Sequence, residues 1–290
     1  MNNSHCDNIA ELIYKESISV LHPGGMEINV LKDRQAIQIA DLCHCTVNHV
    51  YREALKIKIS PYRYIRDRES ISNEEQLSLA ESTVAVVGTG GLGGHVILLL
   101  ARIGIGHLII IDNDVFDETN LNRQALCTLS SLGKAKAHEA AAIVSMLNPG
   151  VKVSPFKSMI DESNAETLLS GSDIVVDGLD NIHDRFLLEK TAKILQIPFV
   201  HGALSGFEGR IMTILPGDKG LSYLYGKDPA VKDHTKPQEA ILGIPALTPS
   251  IIATLQATEV IKLILKRGNI FRNAMFHIDL ENNEFAQFSF

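Results

Sequence analysis

The sequence predicts an α/β fold: a Rossmann-like, doubly wound sheet, mostly parallel, with antiparallel strands in its C-terminal half and a small helical unit at its N-terminus. Three observations carry this expectation. Short β-branched runs alternate with helical patterns from residue 84 onward. A glycine-rich turn, Gly88-Thr-Gly90-Gly91-Leu-Gly93-Gly94, follows the first run and opens a helical pattern. Acids then stand at the ends of later runs, in Asp112-Asn-Asp114 and Asp177-Gly-Leu-Asp180.

The first run, 84–87, reads as a buried strand. The glycines after it allow backbone angles closed to other residues and let a phosphate approach closely. The helix that follows offers free N–H groups and the positive end of its dipole. Gly88-x-Gly90-x-x-Gly93 is therefore a phosphate cradle in the dinucleotide-fold style, although the same glycines also suit a turn kept for packing. A second strand, 108–111, ends at Asp112, about 20 residues past the turn, where an acid suits ribose hydroxyls. An acidic turn residue is the plainer reading of the same position. Arg123 follows soon after, and Gly133-Lys134-Ala-Lys136 opens an Ala-rich helix. Lysines in a first turn oppose the helix dipole, which points to an anionic ligand. Residues 151–153 give a third strand and 173–177 a fourth. Asp180, just past the fourth strand, is a candidate for holding Mg²⁺ against phosphates. Strands at 197–202 and 209–216 follow, the second antiparallel, and then an irregular stretch at 216–249. A helix over 248–265 and two short strands close the chain.

The N-terminal 60 residues look like a separate accessory unit, with a boundary at Ser60-Pro61 and the main domain over 61–290. Helical spacing over 36–56, with Thr46 as an N-cap, resembles a helix-turn-helix, but its mixed charge favours packing over DNA binding. Arg63 and Arg66 form either a phosphate clamp or a solvated face, and chemistry alone favours the second. The 290 residues, 45% of them hydrophobic, suffice for one large core plus this unit. A net charge of −7 and a pI near 5.9 argue against general nucleic-acid or membrane binding. None of Cys6, Cys43, Cys45 and Cys127 makes a C-x-x-C pair, so neither a disulfide framework nor a four-cysteine zinc site is expected. Residues 1–14 lack an apolar signal core, and a cytoplasmic protein is expected.

Taken in order, Arg63-Tyr-x-Arg66, Gly88-x-Gly-Gly-Leu-Gly93, Asp112-x-Asp114, Asn120-Leu-x-Arg123-Gln124, Gly133-Lys-x-Lys136, Asp177-x-x-Asp180-Asn181 and Gln256-Ala-Thr-Glu closely resemble the ThiF/MoeB/HesA family, the bacterial relatives of ubiquitin-activating enzymes. The resemblance covers about residues 61–290. It implies a homodimeric domain that uses ATP and Mg²⁺ to adenylate the C-terminal glycine of a small ubiquitin-like sulfur carrier ending in Gly-Gly, releasing pyrophosphate. It implies contacts to the nucleotide from Gly88, Gly90, Gly91, Gly93, Asp112, Asp114, Gln124 and Asn181, with Asp112 on the ribose. It makes Asn120, Arg123 and Lys136 the phosphate clamp and Asp180 the Mg²⁺ ligand. Arg66 becomes the arginine that reaches into the partner's site, which reverses the reading from chemistry alone.

Two departures stand out. The family's two zinc C-x-x-C pairs are replaced by Leu221-Ser-Tyr-Leu-Tyr-Gly226 and by residues 236–243, and no cysteine follows Cys127. Zinc is therefore not expected, nor a thioester or persulfide on the loop 217–243, which is expected to cover the carrier tail. Three other functions compete. They are an NAD-dependent oxidoreductase, a relative that modifies a peptide or tRNA, and a binding scaffold without activity. Thiamine, molybdopterin and tungstopterin pathways fit the resemblance equally.

Overall fold

The computed structural model describes residues 8–22, 24–226 and 242–290. An eight-stranded sheet runs through the molecule in the order β11-β10-β9-β8-β7-β4-β5-β6. Its parallel part contains β4 (Thr83–Val87), β5 (His107–Ile111), β6 (Lys152–Phe156), β7 (Ile174–Asp177) and β8 (Phe199–Ser205). Its antiparallel part adds β9 (Glu208–Ile214), β10 (Ala274–Asp279) and β11 (Glu284–Ser289). The chain steps from β4 outward through β5 to β6, then returns to lay β7 on the other side of β4. Such a reversal opens a crevice at the carboxyl ends of the two strands.

Burial on both faces explains why the parallel strands read as continuous apolar runs. Val84 and Val86 enter one core with Leu108, Ile110 and Val176. Ala85 and Val87, pointing the other way, enter a second with Ile109, Ile111 and Val175. The first core is closed by α5 (Gly91–Ile103), α6 (Lys136–Leu147) and α10 (Leu247–Leu265). The second is closed by α7 (Ala165–Leu169), α8 (Ile182–Ile194) and α9 (Ser222–Tyr225). By length and composition α10 is apolar enough to cross a membrane. Its Ile252, Ala253, Ala257 and Val260 are instead packed into the first core.

The N-terminal unit differs from the helical expectation. It has α1 (Ile9–Glu16), α2 (Asp33–Leu42) and α3 (Val47–Lys56), but also β1 (Ile18–Leu21) and β2 (Glu27–Leu31), paired antiparallel. Ser60-Pro61, expected to mark a boundary, is a two-residue strand, β3, parallel to β2. β1 and β2 are short and only half-buried, so their sequence carries little period-2 signal. Thr46 caps α3, accepting from the His49 N–H at 3.2 Å. Cys45 and Cys127 are free thiols. Cys43 is disulfide-bonded, which the cysteine spacing did not lead one to expect.

The unit is fastened to the main domain by a few polar contacts. Asn48 Nδ2 donates to the carbonyls of Ala80 and Gly150, both at 3.1 Å. Ala80 lies on α4 (Asn73–Glu81), whose Glu81 pairs with Arg52 at 2.8 Å. Arg63 grips the Asp33 carboxylate and donates to the Leu147 carbonyl at 3.1 Å. Burial alone would raise the Asp33 pKa, but bonds from Arg63 and Tyr51 outweigh it and hold that pKa below the usual carboxylate value. A lowered folded pKa contributes stability at neutral pH and loses it as pH falls through that value.

Asn48→Ala leaves two carbonyls without their donor and should reduce stability by about 1–3 kcal/mol. A urea denaturation midpoint unchanged from wild type would show that the two bonds do not hold the unit in place.

Candidate active site

The site begins where β4 ends. Gly88 has φ +88°, in the left-handed region, and donates its N–H to the Ile111 carbonyl at 2.8 Å. A Cβ on Gly88 would lie 2.5 Å from the Gly178 carbonyl oxygen, so the turns after β4 and β7 press together. Gly93 lies beneath them: a Cβ there would meet the Gly88 carbonyl oxygen at 1.8 Å. That contact seats the first turn of α5 directly on the glycine bend. Gly90 is the N-cap and supplies no side-chain cap. The first N–H groups of α5 are thus left for a ligand, at the positive end of the dipole.

A cleft of about 340 Å³ opens over this helix end. Gly88, Gly90, Gly91, Asp112, Asp114, Arg123, Gln124, Lys136, Asp180 and Asn181 all lie on its walls. These residues come from the ends of β4, β5 and β7, the loop at 123–124 and the start of α6, and the topology brings them to one place. Three expected site residues lie elsewhere. Gly93 packs beneath the turn as described. Asn120 is buried, accepts from the Asp117 N–H at 3.1 Å, and accepts at its backbone carbonyl from Arg123 and Gln124. It therefore shapes the backbone that presents Arg123, and does not line the cleft. Arg66 is exposed on the turn after the 3₁₀ helix Tyr62–Tyr64, away from this chain's cleft.

Charges in the cleft are arranged unequally. Lys136 opens α6, is buried, and sets its Nζ 3.1 Å from Asp114 Oδ2. Arg123 is steadied by the Thr119 carbonyl at 2.8 Å and Asn122 Oδ1 at 3.0 Å. Asp180 is exposed and has no hydrogen bond or ion pair among the described residues. Asn181 caps α8, accepting from the Asp184 N–H at 2.9 Å. Asp112 is more occupied than its sequence position suggests. Its Oδ2 accepts both the Thr89 N–H and hydroxyl at 2.7 Å, and its Oδ1 accepts the Asp114 N–H at 2.8 Å.

Two groups of residues were not anticipated. Thr89, fully buried inside the glycine turn, fixes the carboxylate of Asp112. Its signal was a hydroxyl residue among glycines with an acid one strand away. Behind Asp180, His201 and Arg185 converge on Asp177. Among the described residues no cluster of three or more His, Cys, Asp or Glu could cage a metal. Most of the loop 217–243 expected to cover a substrate tail, and most of the second departed zinc position, lie outside the described residues.

Residues 63–290 match the family model described as the ThiF family. The chain belongs to the ThiF family. Among curated relatives of this ThiF-family chain is "SAMP-activating enzyme E1" of Haloferax volcanii, 37% identical over 211 residues, covering 73% of this chain and 77% of that protein. "Sulfur carrier protein adenylyltransferase" of Thermus thermophilus is 33% identical, covering 68% and 74%. "Adenylyltransferase and sulfurtransferase MOCS3" of Arabidopsis thaliana is 33% identical over 86% of this chain, which spans 54% of that longer protein. Among solved structures, Escherichia coli MccB with ATP superposes with a TM-score of 0.67 at 21% identity, covering 88% of this chain and 82% of that one. At that identity the likeness is one of fold.

Thr89→Val removes one of two donors to Asp112 Oδ2. Stability should fall by about 0.5–1.5 kcal/mol, with weaker nucleotide binding as the carboxylate loses its set position. Unchanged urea denaturation and unchanged nucleotide titration would show that the hydroxyl has no such role.

Proposed function

We propose that this chain adenylates the C-terminal glycine of a small ubiquitin-like sulfur-carrier protein, using ATP and Mg²⁺ and releasing pyrophosphate. One observation carries the reading. Arg123, Lys136, an uncapped helix N-terminus and an Asp180 carboxylate without a partner among the described residues face a single cleft at the reversal of strand order. The printed names of the Haloferax and Thermus relatives support it.

The chemistry follows from the charges. The carrier carboxylate attacks the α-phosphorus of ATP. A new carboxyl-oxygen-to-phosphorus bond forms, and the bond to the β-phosphate bridging oxygen breaks. Two anions must meet, so the barrier is mainly electrostatic and positional. Arg123 and Lys136 offset charge on the phosphates, and the α5 N–H groups orient them. Lys136 is held back by Asp114 until a stronger anion arrives. Mg²⁺ favours octahedral sites with one or two carboxylates completed by phosphates and water, which fits a lone exposed Asp180 better than a protein cage would. When bound it would neutralise the departing pyrophosphate. No side-chain nucleophile is needed. Asp112 and its Thr89 lock would meet the ribose.

The reading includes a homodimer. Arg66 is exposed and lies off its own cleft, which supports the reading that it serves the cleft of a second copy. The N-terminal 60 residues are an accessory unit to the domain over 61–290. Transfer of a hydride to NAD would leave Asp180 and Lys136 without a task, and nothing in the cleft favours that alternative.

Asp180→Ala and Arg123→Ala should each raise the barrier by about 2–4 kcal/mol while leaving the fold intact. Pyrophosphate–ATP exchange with an added carrier ending in Gly-Gly measures this, and wild-type exchange in either variant contradicts the assignment. Mixing Arg66→Ala with Asp180→Ala should restore exchange that neither has alone, because mixed dimers rebuild one complete site. A mixture as inactive as its parts would remove the partner-directed role of Arg66.

A further inference from the structure

Beside the cleft lies a largely buried polar ring, of which Arg185 also reaches the cleft wall. Asp177, the last residue of β7, and His201, on β8, are both 0% exposed, and Arg185 on α8 is 4% exposed. His201 Nδ1 lies 2.6 Å from Asp177 Oδ2, and Arg185 Nε forms an ion pair with the same oxygen at 3.3 Å. On the far side, Tyr225 at the end of α9 places its hydroxyl 3.3 Å from His201 Nε2, and Arg185 Nη1 donates to that hydroxyl at 3.5 Å.

The proton directions are mutually consistent. A carboxylate only accepts, so His201 Nδ1 donates to it. Burial lowers the His201 pKa despite the nearby Asp177, so the ring is neutral and Nε2 accepts from Tyr225. The Tyr225 oxygen then accepts from Arg185. Asp177 and Arg185 compensate each other's charge in a place where either alone would be expensive. Gln256 on α10 closes the arrangement from the opposite face, donating from Nε2 to the Asp177 carbonyl at 2.9 Å and the Val200 carbonyl at 3.1 Å.

The ring reaches the cleft through Leu179. Asp177 Oδ1 accepts the Leu179 N–H at 2.9 Å, and Arg185 Nη2 donates to the Leu179 carbonyl at 2.6 Å. That carbonyl belongs to the peptide group whose nitrogen is Asp180. Both polar backbone groups of the preceding residue are thus fixed by the ring, while the Asp180 side chain has no partner among the described residues.

We propose that His201 and Arg185 are positioning residues for the cation-binding turn: the ring through Asp177 and Tyr225 sets the orientation in which Asp180 meets Mg²⁺. This rests on the function proposed above and deepens it. His201 and Tyr225 do not line the cleft, so a change there reaches the ligand only through the turn; Arg185 lines it as well as holding the turn. Partners one shell away from a ligand commonly change metal affinity by about 10–100-fold when removed.

The test is binding of a fluorescent non-hydrolysable ATP analogue, titrated with Mg²⁺ and repeated in EDTA, on the full chain without carrier. His201→Leu removes both ring bonds. Arg185→Lys keeps the charge but loses the three-way fork. Both should raise the Mg²⁺ midpoint about tenfold or more, and His201→Leu should leave affinity in EDTA unchanged. His201→Asn, whose amide can still donate to Asp177, should bring the midpoint back towards wild type. Tyr225→Phe lies at the half-buried edge of the ring, should shift the midpoint in the same direction, and decides the matter if the first two variants do not fold. Folded variants with the wild-type midpoint, or a His201→Leu or Tyr225→Phe variant weakened equally in EDTA, would overturn the proposal. A wild type whose nucleotide binding ignores Mg²⁺ would instead overturn the reading on which it rests.

Discussion

Everything at the site depends on how closely two turns approach. After β4 and after β7 the chain must leave the sheet in opposite directions, and between those exits lies the crevice. Gly88 and Gly178 let the two backbones touch: a methyl group on Gly88 would lie within 2.5 Å of the Gly178 carbonyl oxygen. Gly93 lets α5 sit against the same point, again with no space for a Cβ. The helix end and the turn bearing Asp180 thereby come within reach of one ligand. Looser packing would separate the cationic side of the cleft from its acid.

The electrostatics follow from that frame. A free helix N-terminus, Lys136 and Arg123 create a demand for negative charge that the protein satisfies only in part. Asp114 supplies some of it to Lys136, and Asp112 is engaged with Thr89. Asp180 has no protein partner among the described residues, although its backbone is held firmly from behind. An excess of cationic donors beside a carboxylate unpaired among the described residues is the pattern expected for a site completed by a polyphosphate and its cation. The buried ring around Asp177 then has an evident use, since a single carboxylate ligand depends on its backbone for direction.

The strands, the glycine turn and the cleft acids were legible in the sequence because each is a local signal. Burial on both sheet faces makes β4 and β5 near-uniform apolar runs, and a left-handed turn calls for Gly88. The three N-terminal strands were not legible. Two are four or five residues long with one exposed face, and Ser60-Pro61 becomes a strand only because β2, some thirty residues earlier, lies beside it. The ring was hidden for a similar reason. Asp177 and His201 are 24 positions apart, and only adjacent strands β7 and β8 bring them to 2.6 Å. Asn120 shows the converse: its motif was plain, but its side chain caps a 3₁₀ turn and shapes the path to Arg123.

A crystal structure of the full chain with Mg²⁺ and a non-hydrolysable ATP analogue would show where the phosphates lie. The triphosphate should run over the first turn of α5, within hydrogen-bond reach of the Gly90–Gly91 backbone, Arg123 and Lys136, with the cation on Asp180. A nucleotide bound elsewhere, or a triphosphate turned away from α5 with Asp180 still bare, would contradict this placement.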